Sequence, residues 1–261
     1  DNGLEIRFED VTCGYRDSVV FRRLNCTFRQ GEAVCVLGSN GVGKTTLFKT
    51  LLRQIPLLGG QILVDGVPLE RIHLEDLAQV MAYVPQVRDS ACNFTVLDMV
   101  MMGRSAYLPV FGAPGARERD RAMETLAFLG MENFASRSYA LLSGGEQQMV
   151  LLARAMVQDA RFILLDEPAS NLDFCNQKIM LDALLRIKTG TGIIMISHMP
   201  EHAFACCEKV LMLNADGSYL FGETEQIITE ERLNKAYRTD MVIVEKQDAS
   251  GRLYRGCCIR L

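Results

Sequence analysis

The chain has 261 residues, 49% of them hydrophobic, and its 32 acidic against 28 basic side chains give a net charge of -4. That length allows one large domain or two modest ones with ample apolar material for a core. The mild acidity gives no support for general nucleic-acid binding, so any anion site must be local; no apolar stretch reaches the roughly 18 to 20 residues needed to cross a bilayer.

The first segment, Leu4 to Val11, alternates as a half-buried strand does; Cys13 to Ser18 supplies turn chemistry, and Val19 to Phe28 resumes the strand pattern. The start at acidic Asp1 does not read as a signal peptide. Nine cysteines, an odd number in a long chain without an export signal, point to reduced thiols in a cytosolic protein. The adjacent pairs Cys206-Cys207 and Cys257-Cys258 lack C-x-x-C spacing and read as packed or partly exposed thiols, a redox or metal role being the alternative.

Next comes Ala33 to Leu37, an apolar β-branched run, then Gly38-Ser39-Asn40-Gly41-Val42-Gly43-Lys44-Thr45, then Thr46 to Leu52 with apolar residues at helical spacing. The middle octet fits G-x-x-x-x-G-K-[ST] in full and joins a strand to a helix, the context a phosphate-binding loop requires. Its glycines let backbone N–H groups close around phosphate oxygens, with the helix N-terminus adding its positive dipole end. Lys44 supplies a point charge, and the Thr45 hydroxyl can ligate magnesium.

Gln61 to Gly66 is a short strand ending in a turn, and residues 79 to 86 form another, ending at Pro85-Gln86. From about residue 94 the pattern is helical: Val96 to Arg104, Ala116 to Leu129 and Glu146 to Gln158. The alternation of strand and helix then returns with Phe162 to Asp166, a helix over 174–188 and a strand from Gly192 to Ser197, near-continuous apolar runs that fit a parallel sheet covered on both faces. Val210 to Leu213, Tyr219 to Phe221 and a hairpin of Met241 to Glu245 with Leu253 to Ile259 close the chain. The expected domains are an α/β core from 1–88 and 159–261, with a helical subdomain inserted over 89–158.

A phosphate loop alone leaves kinases, GTPases and many ATPases open. The strand ending in Asp166-Glu167-Pro168 places two carboxylates where open α/β sheets bind ligands. Asp166 is suited to hold magnesium and Glu167 to orient or deprotonate a water, the alternative being a helix-capping turn. In Leu142-Ser143-Gly144-Gly145-Glu146-Gln147-Gln148, Ser143 reads as an N-cap, Glu146 as its capping-box partner, and the glycines open the backbone to a second anion; a merely well-capped helix is the bland alternative. His198-Met199-Pro200-Glu201-His202 fits the zinc pattern H-x-x-E-H, but Pro200 disfavours helix at Met199, so the two histidines are not expected to converge; His202 reads as a surface or helix-packing residue.

The sequence L-S-G-G-[QE], lying between the phosphate loop and the carboxylate strand, resembles the signature of ATP-binding cassette proteins, and the resemblance covers nearly the whole chain. It implies a phosphate-loop NTPase core with a mainly parallel sheet, an N-terminal antiparallel β-subdomain and the helical insertion. It implies ATP and Mg2+ as ligands, with Tyr15 stacking on adenine, Gln86 sensing the metal and coupling to a transporter, Ser170 to Asp173 communicating across a dimer, and His198 contacting the γ-phosphate. One ATP would lie between Gly38 to Thr46 of one copy and Ser143, Gly144, Gly145 and Glu146 of a second copy; Glu146 stands where glutamine is commonest.

Phe94 to Arg104 resembles the T-V-x-[DE]-x-V-x-x-G-R segment of importer ATPases that serve iron-siderophore, haem, cobalamin and related metal-chelate uptake, as does the terminal hairpin. The cluster of Met99, Met101 and Met102 reads either as core filler or as a partner surface. On that resemblance the chain is a peripheral subunit on the cytoplasmic face of the membrane, partnered by a polytopic permease and indirectly by an extracytoplasmic solute-binding protein, without nucleic acid. A soluble cassette ATPase, for example of the iron–sulfur assembly type, is the alternative; the coiled-coil insertion of DNA-repair members and the second cassette of translation-associated members are absent.

Overall fold

The computed structural model describes residues 3–87, 93–107, 114–170 and 172–261. In chain order the elements are β1 (Glu5–Tyr15), β2 (Ser18–Arg29), β3 (Ala33–Leu37), α1 (Lys44–Leu51), β4 (Gly59–Val64), β5 (Val67–Pro68), α2 (Leu74–Val80) and β6 (Met81–Val84). There follow α3 (Val96–Met101), α4 (Ala116–Phe128), α5 (Gly144–Val157), β7 (Phe162–Asp166), α6 (Phe174–Ile187), β8 (Gly192–Ser197) and α7 (Pro200–Cys206). The chain ends with β9 (Lys209–Leu213), β10 (Tyr219–Glu223), α8 (Thr224–Ile227), α9 (Glu230–Tyr237), β11 (Met241–Gln247) and β12 (Leu253–Ile259). They fall into two compact units, one of residues 1–72 with 188–261 and one of residues 73–187.

The first unit contains an antiparallel sheet in the order β2-β1-β4-β5. Alternation puts Ile6, Phe8, Val11 and Cys13 of β1 and Phe21, Leu24, Cys26 and Phe28 of β2 into the core, where Phe8 meets Phe28 edge-on at 5.3 Å. The pair runs further than the sequence pattern indicates, to Tyr15 opposite Ser18, so only Arg16 and Asp17 form the turn. Register shifts along β1 absorb the residues that break the alternation: Asp10 adopts φ 48, and at Gly14 a Cβ would stand 2.5 Å from the Ser18 carbonyl.

The second sheet of this unit runs β10-β9-β3-β8, with β9, β3 and β8 parallel and β10 antiparallel at the edge. All five residues of β3 and all six of β8 are buried, as continuous apolar strands covered on both faces should be. Each such Val, Leu or Ile side chain contributes about 1.5–3 kcal/mol by leaving water. The terminal hairpin forms in the expected register, Met241 opposite Ile259 and Gln247 opposite Leu253; its turn is held by Asp248, whose Oδ1 accepts the amides of Ser250 at 2.8 Å and Arg252 at 3.0 Å.

In the second unit β6 and β7 run parallel, from Met81 beside Phe162 to Val84 beside Leu165. Helices α3, α4 and α5 bury Val96, Val100, Leu126, Val150 and Leu152 among themselves. Two of them begin with capping boxes: Thr95 with Asp98 on α3 and Ser143 with Glu146 on α5. Residues 74–80, which the sequence reads in part as strand, are helical; Val80 passes into Met81 with neither Gly nor Pro to mark the change.

The eight cysteines among the described residues are free thiols, with Cys13, Cys26, Cys35, Cys206 and Cys207 buried. Burial pushes the Cys13 thiol up to about 11, so it is an inert packing residue. Among the described residues no helix is long and apolar enough to cross a membrane.

Candidate functional site

In the first unit, Leu37 of β3 lies opposite Ser197 of β8, so Gly38 and His198 leave neighbouring parallel strands at the same edge. The loop from Gly38 to Gly43 can follow its path only with glycine at particular places. At Gly43, φ is 112 and a Cβ would fall 1.8 Å from Val20 Cγ1; at Gly38 it would fall 2.8 Å from the Leu213 carbonyl oxygen. Gly43 precedes the first turn of α1, so the positive dipole end of that helix opens onto the loop. Lys44 is buried at 6% exposure, and its Nζ donates to the carbonyls of Gly38 at 2.5 Å and Ser39 at 3.1 Å. Thr45 is exposed and Thr46 buried, while Asn40 and Gly41 are exposed and Ser39 and Val42 half-buried. Tyr15, at the end of β1, is 47% exposed with its hydroxyl 3.5 Å from Lys49 Nζ, an open aromatic face.

His198 directly follows β8, and Met199 is the extended residue before Pro200 opens α7. The residues on either side of His198 are tied down, since Ser197 Oγ accepts the Met199 amide at 3.0 Å and lies 2.9 Å from Nδ1 of buried His202. This removes the zinc reading of H-x-x-E-H: His198 is outside the helix, and His202 packs inside.

In the second unit, Val84 pairs with Leu165, which brings Gln86 and the carboxylates of Asp166 and Glu167 to one edge. The Tyr83 hydroxyl donates to Asp166 Oδ2 at 3.3 Å. Glu167 has φ 50, a left-handed conformation uncommon for a residue with a Cβ and characteristic of held, functional positions. Gln86 Nε2 donates to Ser170 Oγ at 3.0 Å, and that hydroxyl donates to the Glu167 carbonyl at 3.1 Å. Asp173 caps α6 by accepting the Asn176 amide at 2.8 Å; Asn171 of the same motif lies outside the described residues.

The signature segment has the cap that its sequence indicates. The Glu146 amide donates to Ser143 Oγ at 3.3 Å, and the Ser143 amide donates to Glu146 Oε2 at 2.7 Å. Gly145 has no room for a side chain, because a Cβ would stand 2.6 Å from Asn176 Nδ2, whereas at Gly144 it would meet nothing within 4 Å. Gly144 is thus open at the helix N-terminus, where an anion could approach. The Phe94 to Arg104 segment also has a packing basis. A Cβ on Gly103 would stand 2.1 Å from the Arg154 carbonyl oxygen of α5, and Arg104 Nη1 donates to the Val157 carbonyl at 3.0 Å and pairs with Asp159 at 3.1 Å. Met99 is core, while Met102 is 38% exposed.

Sequence reading missed Tyr83, Ser170 as a link between Gln86 and Glu167, and buried Gln148. Only Gln148 left a trace, a polar residue on the apolar face of α5. The Thr45 hydroxyl in the first unit and the Asp166 carboxylate in the second are each hard oxygen donors of the kind magnesium takes.

A glycine-built loop capping a helix after a buried parallel strand, with a carboxylate at the end of another, defines a phosphate-loop nucleotide-binding protein. More narrowly, the ABC transporter family model matches residues 21–170, and the chain belongs to that family. It is an ATP-binding, ATP-hydrolysing subunit of an ABC transporter. The molybdate import ATP-binding protein MolC of Haemophilus influenzae is 34% identical over 86% of this chain and 84% of its own length. The manganese transport system ATP-binding protein MntA of Synechocystis is 32% identical over 90% of each chain. Among solved structures, one described as an inward-facing conformation of a metal-chelate type ABC transporter superposes with a TM-score of 0.88, at 31% identity, over 99% of this chain and 98% of that one.

Proposed function

We propose that this chain drives uptake of a metal chelate, of the iron-siderophore, haem or cobalamin kind, by closing on ATP as a homodimer at the cytoplasmic face of a membrane permease. The observation that carries the solute class is the near full-length likeness to a metal-chelate type transporter, supported by the Phe94 to Arg104 segment and the terminal hairpin. In this reading residues 89–158 form the arm that carries the signature, and an extracytoplasmic binding protein delivers the solute to the permease.

The roles follow from the chemistry of the side chains. Tyr15 offers its ring to adenine, and the amides of Gly38 to Thr46 with the Lys44 ammonium hold the β- and γ-phosphates. Ser143, Gly144 and Gly145 of the second copy complete the phosphate cradle through their helix N-terminus, with Glu146 fixing the Ser143 cap. Thr45, Gln86 and Asp166 would hold magnesium, which neutralises charge building on the leaving phosphate. Glu167 takes the proton of, or aligns, the attacking water, and His198 hydrogen-bonds the γ-phosphate as it departs. Asp173 relates one copy's site to the other's.

Co-expression with a candidate metal-chelate permease tests the reading. Recovery of a membrane complex whose ATP turnover rises with a loaded chelate-binding protein supports it; turnover indifferent to every metal chelate but raised by a free oxyanion would move the solute class.

A further inference from the structure

Gln148 is a polar side chain only 3% exposed, on the buried face of α5 five residues beyond the cap Ser143. Its amide spends both ends on one stretch of backbone. Oε1 accepts the Val87 amide at 3.2 Å, and Nε2 donates to the Pro85 carbonyl at 3.3 Å. The two groups flank Gln86, so the side chain grips the loop on both sides of that residue as a neighbouring strand would. Beyond Gln86 the bonds continue through Ser170 Oγ to the carbonyl of Glu167, whose φ of 50 needs an external hold. All these residues belong to the same compact unit.

We infer that Gln148 is a positioning residue for the ATPase reaction: it fixes the Gln86 backbone to the signature helix, and through the Gln86–Ser170–Glu167 bonds it ties the placement of the catalytic carboxylate to that helix. A shift of α5 then cannot leave Gln86 where it was. The helix that meets the second nucleotide and the residues that complete the metal and water sites move as one piece, which gives dimer closure a direct mechanical route to the chemistry. The inference rests on the roles proposed above for Gln86 and Glu167. Simple burial of an amide would not require both its ends to bracket one residue of the site.

Gln148→Met keeps the length of the side chain and removes both bonds; Gln148→Leu removes both with a shorter apolar side chain, and serves if the first variant folds poorly. In the full-length chain, amide hydrogen exchange at Val87 should speed by about tenfold or more in Gln148→Met, as expected for losing a bond worth about 1.4 kcal/mol, while the melting temperature falls by no more than a few degrees. Magnesium-dependent ATP turnover should fall by about tenfold, and in a Gln86→Ala background the same substitution should cost nothing further, because one residue acts through the other. Equal losses in the two backgrounds, or unchanged exchange at Val87, would overturn the inference. Failure of the Gln86 assignment itself looks different: Gln86→Ala alone would then leave turnover at the parental level.

Discussion

The Nζ of Lys44 lies 2.5 Å from the Gly38 carbonyl oxygen, so the buried ammonium at the start of α1 is folded back onto the first residue of its own loop. Its second bond, to Ser39 at 3.1 Å, holds the loop around the charge and keeps a buried cation hydrogen-bonded.

Lys44→Ala should therefore weaken nucleotide binding by about 2–3 kcal/mol, the loss expected of charge-assisted bonds to phosphate. Titration with a fluorescent ATP analogue measures it, beside a circular dichroism spectrum that should remain that of the parent. Unchanged affinity would remove the loop from the binding site.

Gly43→Ala places a methyl group 1.8 Å from Val20 Cγ1 at a left-handed φ of 112. Overpacking and strain together should cost about 2–3 kcal/mol in urea denaturation. Gly144→Ala is the contrast, since its Cβ meets nothing; it should leave stability close to parental and still depress hydrolysis, because the open helix N-terminus is the surface proposed to receive the partner's nucleotide.

Those two glycines illustrate what the sequence could and could not disclose. Strands β7 and β8 lie where their apolar runs put them, since residues buried on both faces leave little choice of element, and Asp166 and Ser197 mark their ends. The phosphate loop, the Ser143 capping box and the C-terminal hairpin were equally legible, each being a local pattern. Helix α2 was not, because nothing separates it from β6. Nor was α9, although Thr229 followed by Glu230 and Glu231 is a helix-start signal in the chain itself. The bonds of Tyr83 to Asp166 and of Gln148 to Pro85 and Val87 join residues far apart in sequence. Such pairings impose no periodicity, so only the folded chain exhibits them.

Ser143→Ala tests whether the cap does more than start a helix. Loss of the cap should lower stability by about 1 kcal/mol, measured by thermal melting. ATP turnover should fall well beyond what the unfolded fraction explains; turnover that merely follows stability would reduce Ser143 to its structural role.

Acid stability should depend on Glu208. Burial acts to raise this carboxyl, but the Lys188 ammonium and the Ala33 amide, at 2.8 Å, outweigh it and hold the group below its ordinary 4.5. A carboxylate depressed in the folded state contributes stability above its unfolded value and loses it as pH falls through the folded one. Glu208→Gln should therefore be less stable than the parent near neutrality, with the difference shrinking once the medium is more acidic than the depressed value. Urea denaturation across that range checks the sign; a difference that grew in acid would be contrary.

The central claim is that Glu167, held in its left-handed conformation at the end of β7, completes an ATPase that works only when two copies close on nucleotide. Glu167→Gln preserves shape and removes the base. Measured with ATP and magnesium on a sizing column alongside a phosphate-release assay, it should bind ATP, lose about 100-fold or more in turnover and accumulate as a dimer. A variant that stayed monomeric with ATP and kept full turnover would contradict the account.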